Sequence, residues 1–243
     1  MAEAVKVPVD GVAVTAIGVA VIRARESERE DRLYDDPLAK EFVAAARAGF
    51  DEERWTRLEG IADQFYEGRT IGVRLVDDRF REAIAAGCRQ IVLLGAGLDT
   101  RAFRMDLPEH IHIFEIDLPE LFDFKEPVLA ASGATPTCRR SVVIADLRED
   151  WRKRLLNSGF QPSLPTYWVD EGSLGYLNQA WNQRVVQTLT ELSAPGSRFG
   201  AGRLVVDENA PQYGALRSFV AGDSTPEPAP AQRPADFDVE HWL

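Results

Sequence analysis

The spacing of hydrophobic and polar residues changes once along this chain, from helical before residue 87 to an alternation of strands and helices after it. Residues 11–22 (GVAVTAIGVAVI) are apolar, and the charged cluster 25–32 that follows predicts a solvated face. Asp35-Asp36-Pro37 predicts a helix cap with proline at the first helical position. Residues 51–86 read as a second helical stretch, amphipathic and rich in charge, which Gly87 closes.

Five short apolar runs come next, at 90–94 (QIVLL), 111–116, 141–145, 166–169 and 203–206. Continuous runs of this length predict strands buried on both faces. Helical segments fit between them at 119–132, 151–158 and 180–192, so the order predicts an α/β fold with a mostly parallel sheet and helices on both faces. Each run ends in glycine or in acids: Gly95-Ala96-Gly97, Glu115 and Asp117, Asp146, Asp170-Glu171, and Asp207-Glu208. Open α/β sheets bind ligands at the carboxyl ends of their strands, which makes these residues the candidate site.

Composition narrows the partners more than the fold. The 243 residues carry a net charge of −11 without a dense basic stripe, which argues against nucleic acid as a partner. Two cysteines, Cys88 and Cys138, are too few for a disulfide framework, and a reducing cytoplasm is the expected setting. His110 and His112 flank a strand-like run and are read as structural; no metal site is expected. Residues 11–22 are too short to span a bilayer, and the acids before them and Arg23-Ala24-Arg25 after them do not suit a signal peptide. Neither secretion nor a membrane anchor is expected. Residues 224–236 (STPEPAPAQRPAD) read as an extended linker, and 237–243 as a helix just starting.

The glycines at 95 and 97 let the backbone turn tightly and approach a ligand closely, although a plain strand-to-helix turn uses them too. A dinucleotide fold would place a third glycine where Thr100 stands. Acids 20 and 22 residues beyond Gly95, Glu115 and Asp117, suit the hydroxyls of a ribose. Asp146 can accept from an adenine amine while Leu147 lies against the ring. Asp170 and Glu171 face the place where a cationic group would sit, and Arg74 would pair either with a ligand carboxylate or with Asp77 or Asp78 on its own helix.

The segments GAGLDTRAFR (95–104), FEIDLPELFDFK (114–125), ADLREDW (145–151) and DEGSLGYL (170–177) together resemble the leucine carboxyl methyltransferase-like family, especially its actinobacterial branch. The resemblance implies a class I, Rossmann-like fold and S-adenosyl-L-methionine as cofactor. It implies that Gly95 meets the methionine part, Asp117 the ribose, and Asp146 and Leu147 the adenine. Glu171 would face the amino group and Arg74 the carboxylate. It divides the chain into an N-terminal helical lid (1–86), a cofactor-binding core (87–223) and a C-terminal segment (224–243). Members of that branch continue past a segment like FDVEHWL, so the chain is expected to be C-terminally shortened. They usually carry an apolar residue at the position of Asp170 and a larger one than Gly175.

The expected reaction is O-methylation of a carboxylate or hydroxyl on a small molecule. A carboxylate acceptor needs no general base, being ionised at neutral pH, which suits a chain with three histidines. No catalytic residue is singled out; Tyr176 is either an acceptor contact or a packing residue. Two other functions compete: a non-catalytic relative that binds the cofactor weakly, and an NAD-dependent dehydrogenase, against which Thr100 and the later acids count.

Overall fold

The runs at 90–94, 111–116 and 166–169 become strands buried on both sides of a single sheet, whereas the run at 141–145 falls in a strand with only one of its six residues buried. In the computed structural model, which describes residues 6–201 and 211–221, β1 (Gln90–Leu94) is buried at all five positions and β2 (His112–Asp117) at five of six. β3 (Arg139–Ile144), β4 (Thr166–Asp170) and β5 (Arg198–Ala201) complete a five-stranded sheet in the order β3-β2-β1-β4-β5. All four neighbouring pairs are parallel. The chain builds outward from β1 to β3, then crosses back to lay β4 on the other side of β1. That reversal opens a crevice between the carboxyl ends of β1 and β4.

The strand predicted at 203–206 is not where the described fifth strand lies; β5 is Arg198–Ala201, and residues 203–206 fall outside the described residues, as do 224–243. The sequence RFGA has no apolar run to announce it. Its place is set by backbone pairing with β4 and by Gly200, where any Cβ would collide with the Tyr167 hydroxyl.

Three helices precede the sheet: α1 (Val14–Ser27), α2 (Pro37–Arg47) and α3 (Glu52–Ala85). Asp36 caps α2, its carboxylate accepting from the Ala39 amide at 3.2 Å with Pro37 in the first turn, as expected from sequence. Of the charged run at 25–32, Glu26 departs from the expected solvated face: it is buried and accepts from the Tyr66 hydroxyl at 2.5 Å. The N-terminal half of α3 packs on α1 through Trp55, Leu58 and Ile61, while its C-terminal half covers the sheet through Val76, Phe80 and Ala83. α4 (Arg101–Arg104) and α5 (Pro119–Ser132) link the first three strands, and α5 shares one apolar core with α1 and α2. α6 (Trp151–Asn157) and α7 (Gln179–Glu191) cover the opposite face through Trp151, Leu155, Val185 and Leu189. α8 (Pro211–Ala221) adds Phe219 to the core of the first three helices. Among the described residues no helix is long and apolar enough to cross a membrane.

One buried ion cluster holds β2, β3 and α5 together. Glu115 is fully buried and receives Lys125 Nζ at 2.7 Å, Arg140 Nε at 2.8 Å and Arg140 Nη2 at 2.7 Å. Removing the carboxylate leaves the buried Lys125 ammonium without this partner and Arg140 with Glu126 alone, a change that costs roughly 3–5 kcal/mol. Glu115→Ala is therefore expected to lower the melting temperature by roughly 10 °C in a differential scanning experiment. A shift of less than about 3 °C would show that water already screens the cluster.

Candidate active site

The register of the sheet sets four strand ends side by side. The Ala96 amide donates to the Ile116 carbonyl and the Ala145 amide to the Asp117 carbonyl, each at 2.9 Å, while Leu94 pairs with Asp170 across the other side. Read along the sheet edge, the order is Asp146, Asp117, Gly95, Glu171. A small cavity of about 40 Å³, lined in part by Gly95, Ala96, Asp99 and Glu171, opens where β1 and β4 part.

Gly95 must be glycine on two counts: its φ is +62°, and any Cβ would collide with the Cβ of Ser173. The loop it opens is pinned at nearly every residue. The Gly97 amide donates to Asp117 Oδ2 at 2.7 Å, and the Leu118 amide donates to the other oxygen at 2.7 Å. Burial nevertheless raises the Asp117 carboxyl above its ordinary pKa, against the pull of those two amides. Asp99 turns back and accepts from the Arg101 amide at 2.8 Å, occupying the first turn of α4.

Asp146 is partly exposed and accepts from the Arg148 amide at 2.8 Å and its Nη2 at 2.6 Å; that guanidinium hydrogen bond holds its carboxyl below the usual range. Leu147 beside it packs on the core under α6 and α7. Glu171 lies at the crevice, its carboxylate held by both Nη atoms of Arg101 and its carbonyl by Arg69 Nη1 at 3.0 Å. Arg74 stands apart from this row. It sits on the exposed flank of α3, donating to Asp78 at 3.0 Å and to the Leu33 carbonyl at 3.0 Å, the helix-surface pairing that its spacing also allowed.

Asp170 does not face the crevice as its position suggested. It is buried, accepts from Ser173 Oγ at 2.5 Å and the Leu174 amide at 3.1 Å, and so caps the short 3-10 turn Ser173–Tyr176. Burial raises its pKa. His112 confirms its structural reading: its Nε2 lies 2.8 Å from Ser141 Oγ, its ring stacks on Phe114, and burial pushes its pKa down to about 4.

Sequence reasoning passed over Arg101, the hub of the site. Only 2% exposed, it meets Asp77 at 2.7 Å, Asp99 at 2.5 Å and Glu171, with Phe80 beneath its guanidinium at 5.1 Å. Arg104 meets Asp77 at 2.7 Å as well. Asp77, Asp99 and Glu171 thus meet Arg101 and Arg104, with Arg69 a third guanidinium at the Glu171 carbonyl. The only signal in the sequence was an arginine two residues after an acid in the glycine turn, with nothing to say that both turn inward.

An acid-lined crevice at this switch point suits a ligand carrying positive charge and disfavours a pyrophosphate. The amides that would cradle a phosphate, those of Gly97 and Arg101, already serve Asp117 and Asp99. Comparison with known proteins agrees. The family model described as leucine carboxyl methyltransferase matches residues 16–190. A proposed S-adenosyl-L-methionine-dependent methyltransferase of Saccharopolyspora erythraea is 39% identical over 236 aligned residues, covering 90% of this chain and 81% of its own. One from a Parafrankia strain is 46% identical over 223 residues, covering 87% and 72%. One from Mycobacteroides abscessus is 45% identical over 193, covering 78% and 63%. The chain belongs to the leucine carboxyl methyltransferase family and is an S-adenosylmethionine-dependent methyltransferase.

Proposed function

We propose that this protein methylates an oxygen, a carboxylate before a hydroxyl, on a small-molecule acceptor. The observation that carries the cofactor's placement is the order of the strand ends. Asp146, Asp117, Gly95 and Glu171 lie on four consecutive strands of the sheet, in the order adenine, ribose, methionine. Three strand spacings span roughly 14 Å, the reach of an extended adenosyl-methionine. The residues present fit that group: Gly95 is exposed at the crevice and lets backbone approach closely, while the carboxylates of Asp99 and Glu171 that line it suit a sulfonium and an ammonium.

S-adenosylmethionine supplies, when bound, a methyl group already activated for transfer. What this chain adds is binding and orientation. Asp117 holds the ribose hydroxyls, Asp146 the adenine amine with Leu147 against the ring, and Glu171 the ammonium. Arg74 would reach the methionine carboxylate only by leaving Asp78, so Arg69, already at the Glu171 carbonyl, is a competing partner. Helices α1 to α3 supply the lid over the acceptor side, and the half-exposed Tyr176 offers an acceptor contact at the rim.

A carboxylate acceptor is the simpler case, since it needs no general base. Among the described residues no histidine lies at the carboxyl ends of the strands; His110 and His112 are at the opposite end of the sheet. An ionised carboxylate attacks without losing a proton, so orientation alone provides much of the acceleration. The test is transfer of labelled methyl from S-adenosylmethionine to a panel of small acids, alcohols and phenols. Methyl esters release the label as methanol in mild base, whereas methyl ethers keep it. Base-labile product is expected; only base-stable product would overturn the carboxylate preference, and transfer solely to nitrogen or carbon would overturn O-methylation.

A further inference from the structure

We infer that Arg23 is a positioning residue for the cofactor loop, through which helices α1 and α2 become part of the cofactor site. Arg23 lies in the last turns of α1, 5% exposed, far in sequence from the loop that Gly95 opens. Its Nη2 donates to the Leu98 carbonyl at 2.6 Å and its Nη1 to Asp36 Oδ2 at 2.8 Å and Thr100 Oγ1 at 3.3 Å. Thr100 in turn donates to Asp36 Oδ2 at 2.7 Å, and both residues are wholly buried.

The circuit closes through the backbone of the cap. The Asp36 amide donates to Ser27 Oγ at 2.8 Å, and Ser27 donates to the Arg23 carbonyl at 2.7 Å. Asp36 therefore has three tasks: it caps α2, balances Arg23 and receives Thr100. Packing follows the same line. The Leu98 side chain lies in the core of α1, α2 and α5 rather than in a core of the sheet, and Gly97 faces Ala16 of α1 closely enough that an added Cβ would touch it at 3.5 Å.

The loop is thus gripped from two sides. Asp117 holds the Gly97 amide from the sheet, and Arg23 holds the next residue's carbonyl from the cap. A loop fixed on only one side would lose the preorganisation that lowers the cost of binding. The grip also fixes where α1 and α2 sit relative to the crevice, so the helices that face the acceptor and the loop that meets the cofactor move as one body.

The inference rests on the loop being the cofactor's seat, and the experiment separates the two. Arg23→Ala, Arg23→Lys and Leu58→Ala are compared with the unaltered protein. Leu58 is a buried α3 residue packed on Gly18 of α1 and has no hydrogen bond in the circuit, so its truncation depresses the melting temperature while leaving the circuit's donors and acceptors in place. S-adenosylhomocysteine affinity is read by calorimetry, and amide exchange of residues 96–100 by mass spectrometry without ligand. Arg23→Ala is expected to weaken binding about tenfold and to speed exchange in the loop, roughly the loss of one or two charge-assisted hydrogen bonds. Leu58→Ala should leave affinity within about twofold, and Arg23→Lys should recover part of the loss because one donor can still reach Leu98. If Arg23→Ala does not fold, Thr100→Val removes one arm of the circuit and should give the same two signs more weakly. Equal affinity and exchange in the Arg23 and Leu58 variants would overturn the inference alone. Failure of the unaltered protein to bind S-adenosylhomocysteine would instead overturn the cofactor's seat.

Discussion

Asp117→Ala should weaken S-adenosylmethionine binding on the order of 100-fold while leaving the protein folded. Two hydroxyl contacts to a carboxylate contribute about 1.5–3 kcal/mol each, and losing both at the lower end of that range, about 3 kcal/mol, is a change on the order of 100-fold. The structural cost is smaller, because Asp117 is partly exposed at a strand end and its own partners are the amides of Gly97 and Leu118. Those amides hold the carboxylate in place at the strand end. Calorimetric titration of the variant beside the unaltered protein checks this, and a loss below about threefold would place the ribose elsewhere. A second signature comes from pH. Burial raises the Asp117 pKa, so the ionised form that accepts hydrogen bonds is lost as pH falls, beginning above the ordinary carboxylate range. Cofactor affinity should decline over that window, and Asp117→Asn, which cannot titrate, should show a flatter profile there.

The fold was legible wherever burial on both faces imposed a continuous apolar run. β1 and β4 needed nothing else, and Asp36-Pro37 and Gly87 marked helix ends because capping and positive φ are local requirements. β5 was not legible, since an edge of the described sheet with residues RFGA carries no such run and depends on β4 for its position. The site divides the same way. A strand end followed by glycine or acid is a local pattern, so the sequence singles out Gly95, Asp117, Asp146 and Glu171, and these lie at the ends of neighbouring strands. What each carboxylate does there is a question of partners distant in sequence. Glu115 and Asp117 are two residues apart on one face of β2, yet Lys125 and Arg140 draw the first into the interior while the second stays at the rim. Asp170 and Glu171 are neighbours, yet one caps a turn and the other meets Arg101. Arg74 shows the converse: its surface partner four residues on was visible in the sequence, and that is the contact it makes.

Arg101→Leu is expected to damage stability and binding together. The guanidinium is the shared counter-ion of Asp77, Asp99 and Glu171, and its environment raises its pKa well above the usual value: burial works against it, but Glu171, Asp99 and Asp77 outweigh burial. Asp77 and Asp99 show the same balance from the other side, burial pushing each up while the arginines hold both below their ordinary values. Without Arg101, Arg104 still serves Asp77, but Asp99 and Glu171 lose the guanidinium they share, and Glu171 keeps only Arg69 at its carbonyl. Breaking a buried pair in this way costs roughly 3–5 kcal/mol, a fall of about 10 °C in melting temperature for a chain of this length. The affinity for S-adenosylmethionine should fall by more than about tenfold as well, since Glu171 loses the partner that orients it. Arg101→Lys separates charge from geometry. An ammonium keeps the positive charge but lacks the fork that meets three carboxylates at once, so it should restore stability more than binding. Thermal unfolding and calorimetry on the two variants read these effects independently. A leucine variant within about 2 °C of the unaltered protein would mean that the three acids are neutralised by protonation or solvent, and that Arg101 is not the hub its contacts describe.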